Sequence, residues 1–193
     1  SRNSAGLMLR FKSNTTEIVV RYKVSGNKAM NHMPATGVSG VDLYAVNADG
    51  KWLWCAGKYS MGDTIEYRFR GLEPNDPYHQ KGREYRLYFP LYNTVQWMEI
   101  GVPNTATFNP MPVRTEKPIV VYGTSIAQGG CASRPGMAWP AILGRIVDRP
   151  VINLGFSGNG RLEPEVIALI SEIDARLFIL DCLPNLNAAD ATQ

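Results

Sequence analysis

The chain has no large excess of charge, no long apolar run and few cysteines, and each shortage removes a class of function. Its 193 residues carry 20 lysines and arginines against 17 aspartates and glutamates. These charges form no basic stripe, so we expect no nucleic-acid partner. The longest apolar stretches, such as 166–170, are far shorter than the roughly 20 residues that span a bilayer, so we expect no membrane span. The 3 cysteines lack the spacing of a metal site or a disulfide framework.

Apolar residues make up 45% of the chain, enough for a core, and they follow two different periods. Up to about Pro112, short runs alternate apolar with charged residues, as in residues 18–24, and turn signals separate them. The strands predicted from this pattern are 7–12, 17–24, 41–46, 51–56, 64–70, 84–90, 94–102 and 105–108. Many short alternating strands predict an antiparallel, jelly-roll-like β-sandwich.

Beyond a proline-rich segment, residues 109–118, the pattern changes to buried strands and amphipathic helices. The predicted order is strand 119–122, helix 137–147, strand 151–154, helix 163–173 and strand 177–180. Strands and helices that alternate through short links predict a parallel α/β sheet with right-handed crossovers. We therefore expect two domains, residues 1–114 and residues 115–193.

Each of the three predicted parallel strands ends in a polar or glycine-rich cluster. Ser125 follows Gly123 directly after the first strand, a cluster from Gly155 to Gly160 follows the second, and Asn185 follows the third. Parallel strands bring their carboxyl ends to one edge of the sheet, where open α/β domains bind ligands. Ser125 is therefore the leading candidate for a nucleophile, against the simpler alternative of a helix-capping serine.

These residues resemble the first three sequence blocks of the SGNH (GDSL-like) hydrolases: Gly123-Thr124-Ser125, then Gly155 within Asn153-Leu154-Gly155, then Asn185. In addition, Gly40-Val41-Asp42-Leu43-Tyr44 is similar to the Gly-x-Asp-Leu-Tyr motif of the β domain that precedes the catalytic domain in one branch of that superfamily. The resemblance implies a flavodoxin-like α/β domain and a serine esterase that needs no metal or organic cofactor. Ser125 would be the nucleophile, and the backbone N–H groups of Ser125 and Gly155 and the Asn185 carboxamide would bind the oxyanion.

The chain departs from the family pattern in two ways. Thr124 and Leu186 stand where aspartates are common, and the Asp-x-x-His that supplies the family's general base is absent, since the histidines are His32 and His79 in the β domain. Three predicted strands also stand where the fold normally has about five, which would leave a sheet edge unpaired. We therefore expect residues 1–193 to be a fragment of a longer hydrolase and to be nearly inactive alone.

The resemblance favours removal of acetyl or another short acyl group, most plausibly from a carbohydrate, in a secreted or periplasmic protein. The alternative is a non-catalytic carbohydrate-binding or assembly module with a degenerate α/β part, which the missing histidine favours. Arg134 could orient a substrate or lie solvated on the surface. Cys131 and Cys182 could form a bridge at the site, although free thiols are the simpler expectation. Three tryptophans could stack on sugars or fill the core, namely Trp52, Trp54 and Trp97.

Overall fold

The computed structural model describes residues 2–72, 77–79 and 82–187, and its first half is a β-sandwich. Within these residues its elements are β1 (Met8–Ser13), β2 (Glu17–Val24), α1 (Ala35–Val38), β3 (Asp42–Val46), β4 (Trp52–Cys55), β5 (Gly57–Met61), β6 (Ile65–Arg70), β7 (Arg83–Tyr88), β8 (Val95–Gly101) and β9 (Asn109–Pro110). A 3-10 turn covers Pro77–His79. One antiparallel sheet has the order β4-β3-β7-β1-β9 and the other has the order β5-β6-β2-β8.

Alternation along the strands explains why the two sheets pack face to face. In β2, Ile18, Val20 and Tyr22 are fully buried, while the residues between them are partly or fully exposed. They meet Phe11 and Leu87 from the other sheet in one continuous core. The predicted antiparallel sandwich is confirmed.

Two strand predictions need correction. Residues 105–108 do not form a strand, because the backbone of Thr107 is bound by side chains: Ser13 Oγ donates to its carbonyl at 2.6 Å and its N–H donates to Asn14 Oδ1 at 2.8 Å. The strand there is the short β9, which pairs with β1. The sequence analysis also missed β5, because the predicted strand 51–56 is followed at once by a strand of the other sheet.

The second half contains a three-stranded parallel sheet flanked by helices. Within the described residues its elements are β10 (Ile119–Gly123), α2 (Ser125–Gln128), α3 (Trp139–Ile146), β11 (Val151–Gly155), α4 (Pro164–Ser171) and β12 (Leu177–Asp181), with 3-10 turns at Pro135–Met137 and Leu183–Asn185. The order is β11-β10-β12 with β10 in the centre, fully buried. On one side Val121 packs towards Leu143 of α3, and on the other Tyr122 packs towards Val166 and Ile170 of α4. The predicted parallel α/β arrangement is confirmed.

The helices of this half differ in detail from the prediction. The helix predicted for 137–147 is a 3-10 turn followed by α3, because Ala138 is extended, with ψ of 133°, and Pro140 lies in the first turn of the helix. The one-turn α2 was not predicted. The longest described helices, α3 and α4, have 8 residues each, and no described helix could cross a membrane.

Candidate active site

The carboxyl ends of the three parallel strands lie side by side. Gly123 pairs in register with Gly155 on one side and with Asp181 on the other. The loops that follow continue this contact, since the Phe156 N–H donates to the Gly123 carbonyl at 2.8 Å and the Thr124 N–H donates to the Asp181 carbonyl at 3.2 Å. The three clusters singled out in the sequence therefore meet at one edge of the sheet.

Ser125 is the first residue of α2, directly beyond this edge. Thr124 is the N-cap, and its side chain accepts from the Ile126 N–H at 3.3 Å, so the capping role that a serine could have had is filled by its neighbour. Ser125 is half-buried, and among the described residues neither its hydroxyl nor its N–H has a hydrogen-bond partner. Both groups are free to meet a ligand. Thr124, a departure from the family pattern, thus forms the helix cap.

Asn185 lies in the 3-10 turn after β12 and reaches the loop after β11. Its Nδ2 donates to the Asn159 carbonyl at 2.6 Å, which orients the carboxamide. The second N–H of Nδ2 remains available to donate to a ligand. The same loop approaches the nucleophile turn so closely that a Cβ on Gly160 would lie 2.2 Å from the Gly123 carbonyl oxygen. Asn185 and the turn before Ser125 therefore contact the same short loop.

The N–H of Gly155, the second predicted oxyanion donor, already has a partner. Its N–H donates to Asn153 Oδ1 at 2.9 Å. Because the Phe156 N–H points to β10, strand alternation points the Gly155 N–H towards the opposite, open side of β11. The absence of a side chain has a packing reason instead, since a Cβ there would lie 2.0 Å from the Gln128 nitrogen. This geometry argues against Gly155 as an oxyanion donor, which stays an untested prediction.

Gly158, which the sequence analysis did not single out, offers a free N–H in the same loop. Its φ is +76°, a conformation that favours glycine, and its N–H has no partner within the described residues. A nearby turn, in which the Asn159 N–H donates to the Phe156 carbonyl at 3.0 Å, holds the loop. The signal was present as a second glycine three residues after Gly155, but the sequence does not show which of the two N–H groups is left without a partner.

Asp42 of the Gly-x-Asp-Leu-Tyr segment holds the loop that follows the nucleophile. It is 2% exposed, accepts from the Gly136 N–H at 2.9 Å and from Trp54 Nε1 at 2.8 Å, and lies 3.2 Å from Arg134 Nε. Burial raises the pKa of Asp42 to about 6, although Arg134, Gly136 and Trp54 all favour the ionised form. Arg134 also stacks on the Trp54 ring at 4.2 Å, so it joins the two halves of the chain and is not a solvated surface group.

The remaining candidate residues add no group to this site. Trp52 and Trp54 belong to β4 of one sheet and Trp97 to β8 of the other, so the three do not form one platform. The cysteines are free thiols. Neither histidine lies in the α/β half, and no cluster of metal-ligating side chains occurs within the described ranges.

Comparison with known families agrees with this architecture. Residues 1–108 match a model described as GxDLY, the N-terminus of SGNH-hydrolase-type esterases, and residues 116–193 match the GDSL-like lipase/acylhydrolase family. No curated protein matches the chain at the threshold of significance.

Solved structures resemble the chain over most of its length. A GDSL-like lipase from Bacteroides ovatus is 39% identical with a TM-score of 0.88, over 98% of this chain and 55% of that one. Two further structures show likeness of fold alone. The salicylyl-acyltransferase SsfX3 of a tetracycline biosynthetic pathway is 21% identical, with a TM-score of 0.66 over 92% of this chain and 48% of that one. An active-site mutant of a family two carbohydrate esterase from Clostridium thermocellum is 13% identical, with a TM-score of 0.50 over 81% of this chain and 46% of that one.

The chain thus spans about half the length of the solved structures that it matches. Its two halves match the two parts of one kind of protein, in the same order and over nearly every residue. The chain therefore belongs to the GDSL-like (SGNH) hydrolases that carry an N-terminal GxDLY domain.

Proposed function

We propose that this chain carries the nucleophile and the oxyanion-binding groups of a serine ester hydrolase. The proposed reaction removes acetyl or another short acyl group from a carbohydrate, in a secreted or periplasmic setting. The observation that carries the proposal is the arrangement at Ser125, the first residue of α2. Its hydroxyl and its N–H have no partners among the described residues, and the residue lies beside the loop that Asn185 binds. Such a set of groups can attack a carbonyl and stabilise the charge that forms.

The chemistry is two-step acyl transfer. Ser125 Oγ attacks the ester carbonyl carbon while a general base takes its proton, and the carbonyl oxygen becomes an oxyanion. The Ser125 N–H, the Asn185 carboxamide and the N–H of Gly158 are the donors that supply stabilisation there. The carbon–oxygen bond to the alcohol then breaks, the alcohol leaves with the proton, and water attacks the acyl-serine in the same way to release the acid.

The general base is proposed to come from outside residues 1–193. Both histidines lie in the β domain, His32 before α1 and His79 at the end of a 3-10 turn. In addition, β12 forms one edge of the sheet and exposes apolar side chains, with Leu177 and Leu180 each 51% accessible. Further strands of a longer protein would cover this edge.

The test is labelling of the full-length protein with a fluorophosphonate, followed by mass spectrometry of the modified peptide. We expect one adduct on Ser125, and loss of labelling and of acetyl-ester hydrolysis in Ser125→Ala. Ser133→Ala serves as the matched control, since it removes an exposed hydroxyl from the loop that follows the nucleophile. Full hydrolysis by Ser125→Ala, or an adduct on another residue, would refute the proposal.

The second candidate is a non-catalytic carbohydrate-binding or assembly module. The absence of a histidine from residues 116–193 favours it. An absence of labelling in the full-length protein, together with binding of oligosaccharides measured by calorimetry, would support this candidate over the esterase.

A further inference from the structure

Gln128 is a buried side chain at the end of α2 that joins three separate segments. It is 1% exposed, its Nε2 donates to the Leu91 carbonyl at 3.0 Å, and its Oε1 accepts from the Ser157 N–H at 2.9 Å. Leu91 belongs to the β domain, and Ser157 lies in the loop after β11. Because α2 begins at Ser125, this one carboxamide connects the nucleophile helix to both.

Tyr92, the next residue of the β domain, makes a second connection at the same place. Its hydroxyl donates to the backbone carbonyl of Ser125 at 3.0 Å. Burial raises the pKa of Tyr92, so the hydroxyl stays protonated and remains a donor. The β domain therefore contacts the nucleophile residue itself.

The segment that makes these contacts is anchored within the β domain. The N–H of Leu91 donates to the Gly37 carbonyl at 3.4 Å and that of Tyr92 donates to the Val38 carbonyl at 3.0 Å, both in α1. Leu91 and Val38 are buried in one small apolar cluster. Residues 91–92 thus present a fixed pair of groups, a carbonyl and a hydroxyl, to the α/β domain.

We propose that Gln128 is a positioning residue that sets the spacing between Ser125 and the N–H groups of the loop 156–160, with residues 91–92 of the β domain as its anchor. The inference rests on the proposed esterase function and extends it, because it makes the β domain part of the catalytic support. Without the carboxamide, the buried Leu91 carbonyl and the Ser157 N–H would lose their partner, and the loop could move relative to the serine. Misplacement of reacting groups by about 1 Å can cost about 100-fold in rate.

The experiment compares variants of the full-length protein by steady-state kinetics on an acetyl ester. Gln128→Met keeps the length of the side chain but removes both hydrogen bonds, and we expect kcat to fall by about 10- to 100-fold while KM changes by less than about threefold. Tyr92→Phe removes one hydroxyl, and we expect kcat to fall by about three- to tenfold. The rate of fluorophosphonate labelling of Ser125 should fall in parallel in both variants.

Asp148→Asn is the matched control, because Asp148 connects the two domains elsewhere through Arg86 and Arg114. We expect it to lower the unfolding temperature and to leave kcat unchanged. If Gln128→Met lowers the unfolding temperature but keeps wild-type kcat, its role is structural and the inference is overturned. If Gln128→Met does not fold, unchanged kcat in Tyr92→Phe overturns it instead. Failure of the esterase proposal is separate, since it would show as activity retained in Ser125→Ala.

Discussion

Asp42 should make the protein less stable as the pH rises from about 4 to about 6. Burial raises its pKa from the ordinary 3.8 to about 6, against the opposing effects of Arg134 and of the Gly136 and Trp54 N–H groups. The folded protein then binds a proton that the unfolded protein releases, so the contribution of Asp42 to the free energy of unfolding is lost as the pH rises through this window. The shift corresponds to about 3 kcal/mol.

The assay is chemical denaturation of the wild type and of Asp42→Asn at several pH values between 4 and 7. Asparagine stays neutral, so the wild type should lose up to about 3 kcal/mol relative to the variant across this interval. Asp49→Asn is the matched control, since it makes the same change of charge at an exposed turn. If the free energy of unfolding of the wild type stays level or rises relative to Asp42→Asn, attraction to Arg134 outweighs burial and the reasoning is wrong.

Two further predictions concern packing at the site and contact between the domains. Gly155→Ala should destabilise the protein strongly, because the new Cβ would lie 2.0 Å from the Gln128 nitrogen, whereas Gly158→Ala meets no atom within 4 Å and should cost about 1 kcal/mol for its positive φ. Denaturation measures both, and equal losses would contradict the packing role of Gly155. Asp148→Asn should lower the free energy of unfolding by about 1 kcal/mol, because it removes the charge that pairs with the buried guanidinium of Arg86 while the 68% exposure of the Asp148 side chain screens that pair. An unchanged denaturation midpoint would show that stacking of Arg86 on an aromatic ring is enough to stabilise its buried guanidinium.

The sequence predicted those parts of the fold that depend on local periodicity. The bounds of β2 were exact because alternation of buried and exposed residues runs through the whole strand. The strand before Ser125 was found because β-branched residues end at Gly123. Fold class, the order of the elements and the clustering of polar residues at the sheet edge all follow from such patterns.

The features that could not be predicted from the sequence are contacts between distant residues and the hydrogen-bond partners of individual backbone groups. Gln128 meets Leu91 across 37 residues, and nothing local to either residue indicates this bond. The N–H of Gly155 is bound by the Asn153 side chain, whereas that of Gly158 has no partner among the described residues, and the sequence does not distinguish the two glycines. Thr107 likewise lies in a segment that the pattern predicts as a strand, because the sequence does not show that side chains bind its backbone.

The contacts between the domains bear on how such proteins can be rearranged by gene fusion. Asp42, Leu91 and Arg86 contact the α/β half at separate places, so the proline-rich connection is joined by side-chain contacts in holding the two halves together. If another sugar-binding domain replaced residues 1–114 in front of residues 115–193, the contacts that these three residues make with the α/β half would be lost. Recombination that respects this architecture must therefore carry both halves together, or transplant the anchoring side chains along with the new module.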